Sequence, residues 1–279
     1  MSPRIPPLLE PYLILPSEAS LILLTSVLGA SSNWLVLRFL HSALIGSDVT
    51  SEGDIDPENE PKVLLVSFMR DLAFWRENAR RLGLDLDKLG IKKRFAFVDG
   101  LSGIFLPRQD VASTSRDGEK ILLSKSLDSI SSEIQGAIRG LKDSQGSGKV
   151  LIVIDQLDFL LAAGGEQVGV VDIGEMLLDL RENTYAAIIS FSADHPLSAS
   201  HQTPLESDHA GFLLTTAHQA DLIMSLRLLD TGTAKDVSGV LRITVGDETE
   251  QHIQKQIEER ELLYFVGGDG GVKVFERGQ

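Results

Sequence analysis

Hydrophobic positions along the chain show two textures. Short continuous apolar runs occupy residues 21–25, 62–68, 94–99, 149–155 and 185–192. Such runs predict strands that are covered on both faces. Between them, apolar residues recur at helical spacing. Leu72, Trp75, Ala79 and Leu82 predict an amphipathic helix over 71–82, and Leu127, Ile130, Ile134, Ile138 and Leu141 predict a longer one. Asp172 and Glu175 have capping-box spacing, and Ile173, Met176, Leu177 and Leu180 follow on one face, so a helix is predicted over 173–182. Residues 34–45 are mostly apolar and predict a buried helix.

Apolar strands alternating with helices imply a parallel sheet covered on both faces. Beyond residue 211 the texture changes. Residues 211–229, 239–246 and 262–276 alternate apolar and polar, with helical signal confined to 247–260. The stretch Gly267-Gly268-Asp269-Gly270-Gly271, between Val266 and Val272, predicts a hairpin turn. The expected fold class is therefore α/β: a mostly parallel sheet, helices on both faces, and an antiparallel meander at one edge. Residues 1–279 read as a single domain, with an antiparallel C-terminal extension over 211–279. An acidic insertion at 48–60 has six carboxylates and no Lys or Arg, which suits a solvated loop. Residues 106–120 are also polar and loop-like. No internal repeat is visible.

Composition narrows the function classes. Hydrophobic residues make up 43% of the 279, enough for a substantial core, and the net charge is -14. A negative overall field does not attract nucleic acid, so any such contact needs a local basic patch or a partner. Arg76, Arg80, Arg81, Lys88, Lys92, Lys93 and Arg94 form a local basic cluster. It reads either as a solvated helix face or as a contact for RNA or an acidic partner. The nucleic-acid candidates are Arg76, Arg80, Arg81, Lys92, Lys93 and Arg94. The chain has no cysteine, which excludes disulfides and thiolate metal sites and fits a reducing compartment. The first residues lack the apolar run of a signal peptide, and the longest apolar stretches are too short or interrupted to span a bilayer. A soluble intracellular protein is expected.

The segment 21–37 has the layout strand, small-residue loop, buried helix, which is that of a P-loop. In a working P-loop, backbone N–H groups surround the phosphates, a Lys reaches the β and γ phosphates, and a Ser or Thr hydroxyl holds Mg²⁺. Aligning Asn33 with that hydroxyl residue puts Ser32 at the Lys and Ser26 at the first Gly; Gly29 falls at a variable position beside Ser31. Without the Lys charge and the metal ligand, catalysis falls by orders of magnitude. The segment reads as a structural relic, with weak anion binding as its alternative.

Residues 150–155, Val-Leu-Ile-Val-Ile-Asp, form an apolar strand ending in a carboxylate, the Walker B pattern. Asp155 lies downstream of the P-loop-shaped segment in the expected order, and Gln156 follows where a catalytic Glu would stand. Gln145-Gly146-Ser147-Gly148-Lys149 imitates the end of a Walker A motif, but it precedes a strand and is read as a turn. His195, His201, His209 and His218 have spacings that fit no compact metal site and read as scattered loop histidines. No nucleophile–base signature of the Gly-x-Ser-x-Gly kind occurs. No cofactor, metal or catalytic residue is expected.

The P-loop-shaped turn, the Walker B-like strand and the antiparallel tail resemble the RecA-like ATPase core in its KaiC-related branch. Residues 23–40, 63–71 with Phe74-Trp75, 95–102, 155–158 and the loop after Ser190-Phe191 are similar to the family of the sixth subunit of Elongator, particularly its fungal forms. The similarity covers most of the chain and is weak over 48–60 and 106–120. It implies a subunit without Walker motifs that joins the fourth and fifth subunits in a hexameric ring. That ring binds tRNA, releases it in a nucleotide-dependent way, and joins the catalytic part of Elongator, which modifies the wobble uridine. The family places such a subunit in cytoplasm and nucleus, with no membrane partner. By analogy with RecA-like rings, loops 160–171 and 194–210 would face the pore, and apolar surface is expected on a lone subunit. A KaiC-like ATPase with an atypical loop, and a scaffold that binds only protein, are the competing readings.

Overall fold

The computed structural model describes residues 5–45, 60–105, 118–144, 148–164, 168–198, 202–230, 232, 234–246 and 257–277. Its strands are β1 (Leu21–Ser26), β2 (Lys62–Ser67), β3 (Phe95–Asp99), β4 (Glu119–Ile121), β5 (Val150–Asp155), β6 (Ala186–Ser192), β7 (Leu222–Arg227), β8 (Gly239–Val245), β9 (Arg260–Val266) and β10 (Val272–Phe275). All ten join one sheet, in the order β10-β9-β8-β7-β1-β6-β5-β2-β3-β4. From β7 to β4 every pairing is parallel, whereas β7–β8, β8–β9 and β9–β10 are antiparallel. The antiparallel meander therefore extends one edge of a parallel sheet, as the change of texture at the tail implies.

The continuous apolar runs have a direct physical cause. All six residues of β1, β2 and β5 are buried, because helices cover both faces. Alternate residues serve different cores. Ile22 and Leu24 pack with α1 (Glu10–Leu13), α2 (Asn33–Ile45), α3 (Leu72–Arg81) and α4 (Leu86–Ile91). Leu21 and Leu23 pack on the opposite face with α6 (Leu127–Lys142), α8 (Val170–Glu182) and α10 (Pro204–Gln219). Trp75, on α3, is the largest fully buried side chain among the described residues. No described helix is long and apolar enough to cross a membrane.

Several elements differ from the sequence reading. Residues 211–219, expected to alternate as a strand, form the second half of α10; the strand proper is β7. Thr203 caps α10: its side chain accepts from the Glu206 N–H at 3.3 Å, and the Glu206 carboxylate accepts from the Thr203 N–H at 2.9 Å. The helix read over 173–182 begins at Val170, and its carboxylate cap is Asp172, which accepts from the Gly169 N–H at 3.1 Å. Short helices α5 (Ser102–Phe105), α7 (Phe159–Ala163) and α9 (His195–Ser198) lie in segments read as loops or joined to strands. The two expected pore loops are thus partly helical. Of the acidic insertion at 48–60, residues 48–59 lie outside the described residues, as do 106–117, 145–147 and 247–256. At the end of the stretch read as helical, Arg260 already belongs to β9.

Candidate functional site

The turn from β1 into α2 sits at the C-terminal edge of the parallel strands, where α/β folds place their ligands. The Ala30 N–H donates to the Val27 carbonyl at 2.9 Å, and these two residues form an isolated antiparallel bridge. Gly29, with φ 90°, sits in the left-handed region that this tight closure requires. Ser32, 1% exposed, begins the helix: its carbonyl accepts from the Leu35 and Val36 N–H groups at 2.9 and 3.0 Å. The Asn33 N–H donates to the Ser31 hydroxyl at 3.3 Å. The Leu28 N–H donates at 2.8 Å to the carboxylate of Asp194, which follows β6. Alongside it, the Ala193 N–H donates to the Ser26 carbonyl at 2.8 Å. The Leu28, Ala30 and Asn33 amides of this turn are thus engaged within the chain, and the group that meets Leu28 is a carboxylate. A phosphate approaching the turn would meet Asp194 and no lysine.

Asp155 ends β5 with 1% exposure. Ser67, from β2, donates to one of its oxygens at 2.8 Å, and Ser190, from β6, donates to the other at 3.1 Å. Burial pushes this carboxyl up to about 6, against the opposing pull of the two hydroxyls and of Arg70. A carboxylate that orients Mg²⁺ needs charge and a free lone pair. Asp155 has its oxygens engaged by the two strands that flank its own. Gln156 follows with φ 57°; its N–H donates to Ser190 Oγ at 2.9 Å, and its side-chain oxygen accepts from Ser192 Oγ at 2.8 Å.

The sequence reading missed the neighbour of this network. His209, read as one of several scattered loop histidines, is buried on α10. Its Nε2 lies 3.1 Å from a carboxylate oxygen of Asp158, and its Nδ1 lies 3.0 Å from the Leu197 carbonyl. Both ring nitrogens face acceptors, an arrangement that the doubly protonated ring satisfies. Burial works against that charge, but the hydrogen bond and charge of Asp158 outweigh it and raise the pKa. The pair ties α10 to the segment after β5. His195 lies in α9 and His218 in the last turn of α10, while His201 lies outside the described residues. No group of three metal-ligating side chains occurs among the described residues.

The basic cluster is largely neutralised from within. Arg76 and Arg80 both reach Asp87, at 2.6 and 3.0 Å. Arg81 pairs with Glu77 at 2.6 Å, Lys88 with Asp85 at 3.6 Å, and Arg94 with Glu60 at 3.0 Å. Lys92 and Lys93 remain exposed, with no ion pair to a described residue. Arg81–Glu77 and Lys88–Asp85 are pairs at helix spacing, whereas Arg76 and Arg80 meet Asp87 between α3 and α4 and Arg94 meets the distant Glu60, pairings that a count of basic residues does not reveal.

Comparison with known proteins agrees with this frame. A KaiC-like protein from the hyperthermophilic archaeon Pyrococcus horikoshii OT3 superposes with a TM-score of 0.56 at 16% identity, over 97% of this chain and 96% of that one. With the sheet order above, this assigns the α/β RecA-like fold. No curated protein sequence matches the chain. The family model described as Elongation complex protein 6 matches residues 58–266, well over half of the chain. On that match, the chain belongs to the Elongation complex protein 6 family.

Proposed function

We propose that the chain is a non-catalytic RecA-like subunit of Elongator. It assembles with the fourth and fifth subunits into a hexameric ring that binds tRNA and serves the catalytic subcomplex in wobble-uridine modification, in cytoplasm and nucleus. The observation that carries the non-catalytic part is the β1–α2 turn. Ser32 stands where a P-loop has its lysine, and the Asp194 carboxylate takes the Leu28 N–H. Ser26, Gly29, Ser31, Ser32, Asn33 and Asp155 are then a retained frame, in which strand and helix persist without the charges that transfer requires. Among the cations of the 76–94 cluster, Lys92 and Lys93 are the ones available to a phosphate backbone, and they carry the RNA contact on this subunit.

Two measurements test the reading. The full chain, alone and in the reconstituted ring, is assayed for ATP turnover with and without Asp155→Ala. The expected result is no turnover by the chain alone and an unchanged ring rate in the variant. Turnover by the chain that disappears with Asp155→Ala overturns the reading. For the RNA contact, Lys92→Glu with Lys93→Glu in the ring lowers tRNA affinity and flattens its salt dependence. Unchanged affinity and salt slope remove these residues from the contact.

A further inference from the structure

One buried histidine bridges three elements beside the Asp155 network. His209, on α10, is 4% exposed. Its Nε2 faces Asp158 Oδ2, between β5 and α7, and its Nδ1 faces the Leu197 carbonyl of α9. Asp158 is itself buried. Its Oδ2 also accepts from the Ser192 N–H at 3.1 Å, whereas its Oδ1 has no donor. Among the described residues, His209 is the cation that pairs with this carboxylate. α9 buries none of its four residues. Its Leu197 and Ser198 N–H groups donate to the Asp194 carbonyl at 2.8 and 3.1 Å, and the Asp194 carboxylate accepts from the Leu28 N–H. A hydrogen-bonded chain therefore runs from Asp158 through His209, α9 and Asp194 to the tip of the β1–α2 turn.

A ring with a proton on each nitrogen donates to both acceptors, and a neutral ring has only one N–H. That N–H stays with Asp158, because a hydrogen bond to a carboxylate is stronger than one to a carbonyl. The Nδ1 lone pair is then left 3.0 Å from the Leu197 carbonyl, so two acceptors confront each other. α9, with no buried side chain of its own, is the element that yields.

The charges around the ring set the direction of its titration. Burial lowers the His209 pKa, but the hydrogen bond and charge of Asp158, the Leu197 carbonyl and the charge of Asp194 together raise it above the ordinary 6.5. Asp155, at the end of β5, acts on Asp158 from behind. On α10 the Glu206 carboxylate is turned back onto the Thr203 N–H, and Asp208 is exposed. α8 brings Arg181, which reaches Gln219 at the far end of α10, and acids that are exposed. α9 brings the exposed His195. α7, β1 and β6 carry no titratable side chain.

We propose that His209 is a pH-operated latch: protonated, it pins α9 to the C-terminal edge of the sheet and steadies the Asp194–Leu28 contact; neutral, it keeps Asp158 and releases α9. The latch is closed below the ordinary histidine value and opens as pH rises through the raised folded value. It belongs to the chain itself and does not depend on the ring.

The test uses the full chain, or its ring if the chain alone is insoluble, between about pH 5.5 and 9. Imidazole NMR follows the histidines, and the His209 signal is the one absent from His209→Gln. Hydrogen exchange, corrected for the intrinsic effect of pH, follows residues 195–198 and Leu28. Protection at 195–198 is expected to fall by about tenfold or more as pH rises, the worth of one hydrogen bond to a charged group. Its midpoint lies above 6.5 and coincides with the His209 titration, while β5 stays protected. In His209→Gln the protection of 195–198 no longer depends on pH. Asp158→Asn lowers the His209 midpoint and moves the opening of α9 with it, a joint shift that a packing role does not produce. If either variant does not fold, the two midpoints of the unaltered chain decide. The proposal is overturned if protection at 195–198 stays level while His209 titrates, or if the two midpoints differ. It is also overturned if His209 titrates at or below 6.5 or not within the range, or if the pH dependence survives in His209→Gln.

Discussion

Asp155 has each of its carboxylate oxygens engaged by a serine hydroxyl from a flanking strand. Its place at the end of an apolar strand is legible in the sequence. Its two hydroxyl partners come from β2 and β6, distant in sequence, and no local pattern announces them. The same holds for Asp194, whose contact with Leu28 spans 166 residues. The raised pKa of Asp155 has a stability consequence with a definite sign. Its ordinary value is 3.8 and its folded value about 6, so the folded chain retains a proton that the unfolded chain releases between them. The stabilisation from this group is complete below the ordinary value and is lost as pH rises through about 6. At neutral pH the buried carboxylate costs up to about 3 kcal/mol. Asp155→Asn keeps the shape and removes that cost. Urea unfolding should show the variant more stable at pH 7.5, with the difference vanishing near pH 3.5. An equal or lower stability at pH 7.5 contradicts this role for Asp155.

At the scale of elements, sequence texture works where burial is simple. β1, β2 and β5 are buried on both faces and read as apolar runs, and α6 buries Ile130, Ile134, Ile138 and Leu141 along one stripe. It fails at α10. That helix buries His209, Ala210, Phe212 and Thr216, two of them polar, so its inner face carries little apolar signal. Leu205 and Leu214 meanwhile stand exposed, which blurs the helical period. The available signal was the cap, Thr203 followed by Pro204 and Glu206. Thr203→Ala should therefore cost about 1 kcal/mol. It should also speed hydrogen exchange in the first turns of α10 while leaving β1 and β5 protected. Uniform loss of protection across the sheet would show that the cap does not act locally.

For the whole molecule, family membership and the RecA-like sheet give the frame, and the exposed apolar residues bear on assembly. Leu28, at the tip of the β1–α2 turn, is 86% exposed and held by Asp194 in a defined turn. A large apolar side chain presented on an ordered turn suits a subunit interface. Leu28→Glu is expected to change the stability of the isolated chain by less than about 0.5 kcal/mol. It should also weaken ring assembly by about tenfold or more, measured as the midpoint of assembly on dilution. Unchanged assembly would place Leu28 away from the interface. The most direct test of the account as a whole is native mass spectrometry of the chain co-expressed with the fourth and fifth Elongator subunits. A ring subunit gives a hexameric assembly that contains this chain and is lost when the chain is omitted. A chain that stays monomeric while the other two subunits assemble without it would contradict the account.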